Sequence, residues 1–514
     1  MVAAMATPST TSNSNQERLS SYNPATGDLL GSVPIFSAAD VDAAVARAKI
    51  AAETWSTRSC GTRANELDAF RHALAAEADK LADILHRENG KPEYEALTEV
   101  MMSLGHLKHA AGIAEKALAT KKVSSGLLAN FRATISYHAL GVVGVIGPWN
   151  FPINTPMGSI AYALAAGNAV VWKPSELTPL IALEIEKIAA RTFALPDLLQ
   201  VVTGAGSTGA ALAKSAVNKL SFTGSAATGK RVMLAAAERL TPVLMELGGK
   251  DAMIVTDDAD LEKAAEAAVY GGLSNAGQAC VAIERVYVSD VIHDRFVDEV
   301  VKQVKELKVG GDDGHLGAMT SESQITIVRD HLEDAVKKGA KVHTGGPGAI
   351  SGSYIQPTVL TNVNHGMKIM VEETFGPVIP IQKVKSVDEA IRLANDSKFG
   401  LGSSVFAKKS ARSIADRMRA GMTSINSVMA FAGIYGLPFG GVGDSGFGRI
   451  HGEEGIREFS RVKATAEQSF SLPMNMMSFR QKGDMPKQLR GMIKNLYGDG
   501  IISKAGDLLR KIRS

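Results

Sequence analysis

The stretch HALGVVGVIGPWNFPINTPMGSIAYALAAGNAVVWK, residues 138–173, has no acidic or basic side chain between His138 and Lys173. A membrane-spanning helix needs about 18 or more consecutive apolar residues, and prolines and asparagines interrupt this run. The segments VVGVIG and AVVWK are short and continuously apolar, which is typical of buried strands in a parallel sheet. The stretch therefore predicts a buried strand, a loop, a helix and a second strand of an α/β fold.

Similar signals continue on both sides of this stretch. Residues 39–119 are rich in Ala, Leu, Glu and Lys at helical spacing, and strand signals such as KLSFTGS then alternate with helical ones such as ATGKRVMLAAAERL. A second alternating region runs from about 250 to 425. Such alternation indicates βαβ units. Because 514 residues exceed the roughly 250–300 at which one core stops growing, we expect two α/β lobes.

The composition excludes several classes of protein. A formal net charge of +3 argues against a dedicated nucleic-acid binder, so no nucleic-acid partner is expected. Two cysteines, Cys60 and Cys280, cannot form a disulfide framework, and the first 20 residues lack the basic and apolar regions of a signal peptide. These features predict a cytoplasmic location.

Two glycine loops are candidates for binding a phosphate group. GAGSTG, residues 204–209, fits G-x-G-x-x-G after an apolar strand but lacks the acidic residue expected about 20 positions later. The next turn, from Gly224 to Gly229, opens a helix whose free N–H groups suit a phosphate, and Ser225 adds a hydroxyl. Lys173 and Glu176 follow another strand end, where a carboxylate suits a ribose. The turn alone leaves a plain strand-to-helix connection equally open.

Three further residues have the chemistry to oxidise an aldehyde. That reaction needs a thiol to add to the carbonyl carbon, a base, and donors for the oxyanion. Cys280 in NAGQAC, Glu246 in MELGGK and Asn150 in PWNFP could supply them. Taken singly, each has a simpler explanation, because an isolated cysteine is more often a small buried hydrophobe.

Taken together, the motifs identify a family. GPWNFP, WKPSE, SFTGSAATG, MELGGK, NAGQAC, EETFGPV and PFGGVGDSGFGR occur in the order of the aldehyde dehydrogenase superfamily, which the chain resembles from about residue 20 to about 470. The resemblance implies Cys280 as nucleophile, Glu246 as general base for thiol or water, and Asn150 as oxyanion donor, with no metal. It implies these cofactor contacts: Trp149, Lys173, Glu176, Gly206, Gly224, Ser225, Glu373 and Phe375.

The resemblance also implies an architecture. We expect an atypical Rossmann lobe as the NAD-binding domain, residues 20–116 and 140–248, and a second α/β lobe as the catalytic domain, residues 249–444. Residues 117–139 and 460–472 would form a small β oligomerisation flap of a homodimer or homotetramer. NAD is expected rather than NADP, because the Glu176 carboxylate would repel a 2′-phosphate. Glu246 implies hydrolysis of the thioester to the free acid.

The chain departs from the family pattern after G-x-G-R. Many members carry a relay Glu there, whereas this chain has Ile450 followed by His451. His451 is either a substitute proton relay or a packed side chain.

The substrate is predicted from the tunnel residues. Similarity places Thr155 and Gly158 on the tunnel wall, where small residues would widen it, and the segment SVMAFAGIYGLPF, 427–439, has no Lys or Arg. This predicts a hydrophobic aldehyde, aliphatic of medium to long chain or aromatic. A succinate-semialdehyde dehydrogenase, with a similar NAGQ-x-C run, and a non-catalytic member of the superfamily remain alternatives.

Residues 473–514 lie beyond the family pattern and are basic. Nine basic and three acidic residues from 480 to 514 give +6, which leaves −3 for the rest of the chain. PKQLRGMIKNLY and ISKAGDLLRKIRS alternate bulky apolar with basic residues at helical spacing. Such helices either lie in a membrane interface, giving a peripheral membrane contact, or cover the protein or a partner subunit.

Overall fold

The computed structural model describes residues 17–311, 313–471, 478–480 and 483–498. The helix predicted within ISKAGDLLRKIRS lies outside the described residues. The strands, numbered along the chain, are β1 Arg18–Tyr22, β2 Leu29–Pro34, β3 Lys121–Val123, β4 Phe131–Ala139, β5 Val142–Ile146, β6 Ala169–Lys173, β7 Leu199–Val201, β8 Lys219–Thr223, β9 Val243–Glu246, β10 Asp251–Val255, β11 Ile283–Ser289, β12 Lys341–Thr344, β13 Ile350–Ser351, β14 Tyr354–Ile355, β15 Thr358–Thr361, β16 Val378–Val384, β17 Ser403–Phe406, β18 Ser424–Ile425, β19 Gly446–Phe447 and β20 Ser460–Gln468.

The helices of the described residues are numbered in the same way. They are α1 Ala38–Thr57, α2 Cys60–Ala76, α3 Ala78–Asn89, α4 Glu93–Leu118, α5 Asn154–Ala165, α6 Pro179–Thr192, α7 Gly206–Lys214, α8 Ala226–Ala237, α9 Leu261–Leu273, α10 His293–Lys305, α11 Glu322–Lys337, α12 Lys368–Val371, α13 Val387–Asn395, α14 Ala411–Ala415, α15 Ala430–Gly433, α16 Gly452–Glu458 and α17 Met485–Tyr497. Among them, none is long and apolar enough to cross a membrane.

The first lobe is a six-stranded sheet in the order β19-β9-β8-β5-β6-β7. The strands from β9 to β7 run parallel, and β19 pairs antiparallel with β9. Every residue of β5 and β6 is buried, as expected for valine-rich strands covered on both faces. The prediction of strand, helix and strand across residues 138–173 is therefore confirmed.

Helix α5 begins earlier than the sequence suggested. The predicted helical segment started at Gly158, whereas the helix starts at Asn154 and takes Pro156 into its first turn. Proline fits there because the first N–H groups of a helix have no intrahelical partner. The N–H groups of Ile153 and Asn154 instead donate to the Glu99 carboxylate of α4.

The second lobe is a seven-stranded sheet in the order β12-β15-β16-β11-β10-β17-β18. Its pairs are parallel except for β12 with β15. Two apolar clusters form its core, one including Ile254 and Leu332 and the other including Met253 and Phe296. Met253 and Ile254 are adjacent in β10 and so point to opposite faces of the sheet, which explains the two clusters. The mixed α/β fold class is confirmed.

A second compact unit contains residues 120–136 and the described residues from 462 onward. Its strands belong to the three-stranded sheet β20-β4-β3, in which β3 and β4 are antiparallel. The Asn130 side chain donates to the carbonyl of Phe470, which ties the two chain segments of the unit together. Eight of the nine residues of β20 are exposed, so this edge strand leaves its side chains open to solvent.

Candidate active site

Cys280 lies just after a turn with unusual backbone angles. Asn275, Ala276 and Gly277 all have positive φ, at 50°, 53° and 72°. A Cβ at Gly277 would collide with the carbonyl of Gly376, so only glycine fits there. The glycine is thus needed for close backbone packing. The turn leads into β11 and leaves Cys280 partly exposed at the edge of a cleft.

Glu246 is the last residue of β9 and is buried. Neither of its carboxylate oxygens has a hydrogen-bond partner among the described residues. Burial raises its pKa well above the usual range, and the charge of Arg449 opposes part of that rise. The segment after Glu246 approaches the nucleophile candidate closely, because a Cβ at Gly249 would collide with the carbonyl of Cys280.

The surroundings of the Cys280 thiol disfavour its ionisation. Burial raises its pKa, and the carboxylates of Glu246, Asp251 and Glu373 raise it further. Burial also raises the pKa of Glu373 to about 8. The site therefore combines a thiol with carboxyl groups whose pKa values are raised by burial, and such shifts cluster at functional sites.

Asn150 is held in the loop between β5 and α5. The side-chain Nδ2 of Asn150 donates to the carbonyl of Gln278 at 2.9 Å. The backbone carbonyl of Asn150 accepts from Lys91 Nζ and Asn275 Nδ2, both at 3.0 Å. Lys91 also forms a fully buried ion pair with Glu99. The amide is thus fixed beside the Cys280 segment from both sides.

Lys91 and Glu99 support the site without a local sequence signal. Glu99 accepts from the start of α5 with one oxygen and pairs with Lys91 through the other. In the sequence they resemble the other charged residues of the N-terminal helices. A buried pair of this kind is strongly destabilising to break, since the remaining charge has no counterion.

One cleft brings the predicted cofactor contacts together. It has a volume of about 680 Å³ and is lined by Asn150 and Cys280 together with all eight predicted cofactor contacts: Trp149, Lys173, Glu176, Gly206, Gly224, Ser225, Glu373 and Phe375. The amino ends of α7 and α8 open into it through Gly206 and Ser225. Gly206 and Gly209 of GAGSTG therefore line the cleft although the pattern is incomplete.

Comparison with known proteins identifies the family. A model of the aldehyde dehydrogenase family matches residues 10–465. The chain belongs to the aldehyde dehydrogenase family. It is therefore an enzyme and an oxidoreductase, and the identification made from the motifs is confirmed.

Three relatives show the range of this similarity. A 4,4'-diapolycopene aldehyde oxidase of Methylomonas sp is 39% identical over 496 residues, covering 95% of this chain and 93% of the relative. A putative succinate-semialdehyde dehydrogenase [NADP(+)] 2 of Mycobacterium ulcerans is 38% identical over 450 residues, covering 86% and 87%. The crystal structure of betaine aldehyde dehydrogenase of Staphylococcus aureus in complex with NAD+ has 30% identity and a TM-score of 0.85, covering 90% and 94%.

The cleft of this aldehyde dehydrogenase fits NAD. Glu176 is about half exposed at the mouth and lies 3.2 Å from the buried Lys173 Nζ, so its carboxylate can accept from ribose hydroxyls. The amino ends of α7 and α8 offer N–H groups and a positive dipole end to a pyrophosphate. Ser225 is the N-cap of α8, since its Oγ accepts from the N–H of Thr228.

The opposite wall of the cleft is positioned by a second buried ion pair. Glu284 pairs with Lys250 and accepts from the N–H groups of Thr374 and Phe375, each at 2.8 Å. Phe375 meets the Trp149 ring edge to face, with centroids 5.4 Å apart. Glu284 therefore holds the segment that carries Glu373 and Phe375, a role that the sequence analysis did not assign.

His451 lies in a cluster of rings. Its ring centroid is 4.6 Å from that of His106, 5.3 Å from Phe439 and 5.7 Å from Tyr435. Burial lowers its pKa to about 3, so the imidazole is neutral at physiological pH. These contacts support the packed alternative for His451 over the relay.

The two predicted tunnel residues, Thr155 and Gly158, lie in different surroundings. Thr155 lines the cleft with Cys280. At Gly158, in contrast, a Cβ would lie 2.9 Å from Ile450 Cδ1 and 3.5 Å from His106 Cε1. The side chains of Ile450 and His106 occupy the space that the glycine leaves, so the expected widening at Gly158 is wrong.

Proposed function

We propose that this enzyme oxidises an apolar aldehyde to the carboxylic acid with NAD. The observation that carries the proposal is the apolar wall beside the nucleophile. Cys280 packs against a cluster of buried residues together with Met429, Ala432 and Phe439; the buried residues are Val281, Leu401, Met422 and Phe431. Four members of this set belong to the segment 427–439. A wall of this kind favours an aliphatic or aromatic chain next to the reacting carbonyl.

The reaction begins at the thiol. Cys280 Sγ gives its proton to a water molecule and adds to the aldehyde carbon, and the oxygen that gains negative charge is stabilised by Asn150 Nδ2 and the N–H of Cys280. An amide nitrogen carries two hydrogens, and the bond to Gln278 uses one. NAD, when bound, supplies the acceptor for the hydride that leaves the thiohemiacetal carbon.

Hydrolysis completes the reaction. Glu246 takes a proton from a water molecule that attacks the thioester carbon, and the carbon–sulfur bond breaks to release the acid and the Cys280 thiol. Burial raises the pKa of Glu246, and a carboxylate with a raised pKa takes a proton from water more readily than an exposed one does.

The main alternative substrate is succinate semialdehyde, which the name of the Mycobacterium relative gives. Its free carboxylate needs a cation at the far end of the tunnel. The segment 427–439 contains no Lys or Arg. Arg449, whose charge acts on Glu246, donates through Nη1 to the carbonyls of Gly441 and Gly448. The name of the Methylomonas relative gives an aldehyde of diapolycopene, a hydrocarbon, which supports an apolar substrate.

A panel of aldehydes tests the substrate class. We expect kcat/KM to rise from acetaldehyde to dodecanal by up to about four-fold per methylene, since burying one CH₂ contributes about 0.8 kcal/mol. Benzaldehyde should be oxidised, and succinate semialdehyde should be at least about 100-fold poorer than the best aldehyde. NADH absorbance measures each rate. A highest kcat/KM for succinate semialdehyde would contradict the proposal, and no turnover of any aldehyde would favour a non-catalytic member.

NAD is proposed as the preferred cofactor over NADP. In wild-type enzyme we expect kcat/KM to be at least about 10-fold higher with NAD, because the Glu176 carboxylate would lie close to a 2′-phosphate. Glu176→Gln should lower this preference by about 10-fold. Glu262→Gln, an exposed acid of α9, is the control and should leave the ratio unchanged. A higher kcat/KM with NADP in wild-type enzyme would reject the prediction.

We also propose domain roles and an assembly. Residues 20–116 and 140–248 form the NAD-binding domain and residues 249–444 the catalytic domain, with 117–139 and 460–472 as oligomerisation segments of a homodimer or homotetramer. The exposed side chains of β20 support this assembly, because an edge strand with free side chains and backbone can pair with another chain.

A further inference from the structure

Helix α17 near the C-terminus is amphipathic. Its apolar residues recur at helical spacing on one face: Met485, Leu489, Met492, Ile493 and Leu496. Three basic residues, Lys487, Arg490 and Lys494, lie along one flank of this face. The uncharged residues Gln488, Gly491 and Asn495 lie along the other flank. Asp484 caps the helix, accepting from the N–H of Lys487 at 3.0 Å.

The apolar face of α17 is partly exposed. No residue of the helix is buried, and on this face Leu489 and Ile493 expose 39% and 59% of their surface, whereas Met485, Met492 and Leu496 are partly buried. A contiguous apolar face on a protein surface generally marks an interaction site. Its basic flank indicates the chemistry of the partner, because lysine and arginine beside an apolar stripe suit a surface that is anionic above a hydrocarbon layer.

The charge distribution of the chain points in the same direction. Residues 480–514 carry +6 and the rest of the chain −3. The net positive charge of the chain is thus concentrated in this segment. A lipid headgroup layer meets the basic flank and its hydrocarbon meets the apolar face, a combination that an acidic protein surface supplies only in part.

Part of the C-terminal extension is matched by one relative of the enzyme. The family model ends at residue 465. The Methylomonas relative covers 95% of 514 residues, about 488, so only about 26 lie outside that match. Since residues 473–514 number 42, the match includes part of this extension. The extension is therefore more than an arbitrary tail of this chain.

We propose that α17 lies in the interface of an anionic lipid bilayer and holds the enzyme at the membrane in which its apolar aldehyde dissolves. The docking rests on α17 alone. The link between docking and substrate rests on the proposed function, because only an apolar substrate partitions into the bilayer. Leu489 and Ile493 insert among the acyl chains, and Lys487, Arg490 and Lys494 contact the headgroups.

Vesicle flotation of the full chain without substrate tests the docking. We expect binding to phosphatidylcholine vesicles containing about 30% phosphatidylglycerol and little binding to phosphatidylcholine alone. The combined variant Lys487→Glu, Arg490→Glu, Lys494→Glu should bind at least about 100-fold more weakly, since each basic residue near the surface contributes about five-fold. Leu489→Gln with Ile493→Gln should also lose most binding.

The control variant changes the same number of charges elsewhere. Lys305→Glu, Lys337→Glu and Lys409→Glu are exposed positions on the body of the enzyme and should leave flotation unchanged. An equal loss of binding in this control, or no flotation of wild type with anionic vesicles, would overturn the proposal. Changed oligomer mass in the α17 variants without vesicle binding by wild type would assign the helix to a subunit contact instead.

Aldehyde oxidation assays distinguish membrane docking from its link to the substrate. All variants should oxidise propanal in solution at the wild-type rate, because no change touches the site. The α17 charge variant should oxidise dodecanal presented in anionic vesicles at least about 10-fold more slowly than wild type does. Flotation without faster oxidation of vesicle-bound dodecanal would retain the docking and reject the link to substrate.

Discussion

Replacing Cys280 with serine is expected to lower kcat/KM for aldehyde oxidation by on the order of 10⁴ or more. A serine hydroxyl is far less nucleophilic than a thiol, and the buried carboxyl groups around residue 280 disfavour a further negative charge. NAD binding should be unchanged, because the eight predicted cofactor contacts line the cleft independently of the thiol. NADH absorbance measures the rate, and calorimetry measures the NAD affinity.

Cys60→Ser is the matched control. Cys60 begins α2, where its sulfur accepts from Arg63 Nη2 at 3.3 Å, and it is not among the residues that line the cleft. This variant should keep wild-type kcat/KM. Turnover of Cys280→Ser within about 10-fold of wild type would exclude a covalent mechanism at Cys280.

The raised pKa of Cys280 adds a pH dependence to the same experiment. In the Cys60→Ser background Cys280 is the sole thiol of the chain. Because only the thiolate reacts, the rate of alkylation by iodoacetamide should rise about 10-fold per pH unit from pH 7 to pH 9 without a plateau. A plateau below about pH 8 would show that the thiol is ionised near neutrality.

Local sequence signals were sufficient for the fold. The strands of residues 142–146 and 169–173 are continuously apolar, so their burial follows from composition alone. The start of α5 was misplaced because the group that completes it, the Glu99 carboxylate, is 54 positions away in the chain. A cap supplied from another helix leaves no mark in the local sequence.

The ordered family motifs, rather than any single residue, predicted the roles of Cys280, Glu246 and the cofactor contacts. The residues that support them left no such signal in the sequence. Lys91, Glu99 and Glu284 act through long-range hydrogen bonds, and in a single sequence such residues resemble surface charges. The expectation that Gly158 widens the tunnel was wrong for another reason. A missing side chain opens space only if neighbours such as Ile450 do not fill it.

Glu246→Gln is expected to lower steady-state kcat by about 10²–10³, the range for loss of a general base. If Glu246 acts on the hydrolytic water, the thiohemiacetal still forms and the thioester accumulates. A burst of about one NADH per active site should therefore precede the slow steady state. Stopped-flow absorbance measures its amplitude. Glu266→Gln, an exposed acid of α9, should behave like wild type.

The stability of Glu246→Gln checks the electrostatics of the site independently of catalysis. Because the pKa of Glu246 is raised on folding, its carboxyl group binds a proton more tightly in the folded than in the unfolded chain. Wild-type stability is therefore lost as pH rises from the unfolded pKa, about 4.3, through the folded value. Glutamine does not ionise, so the Tm of the variant should exceed that of wild type at pH 9 and approach it at pH 5. Loss of the NADH burst with this Tm pattern intact would show that Glu246 takes its proton from the Cys280 thiol and not from the hydrolytic water. An unchanged Tm difference at both pH values would show instead that Glu246 is not a buried, unpaired carboxyl group.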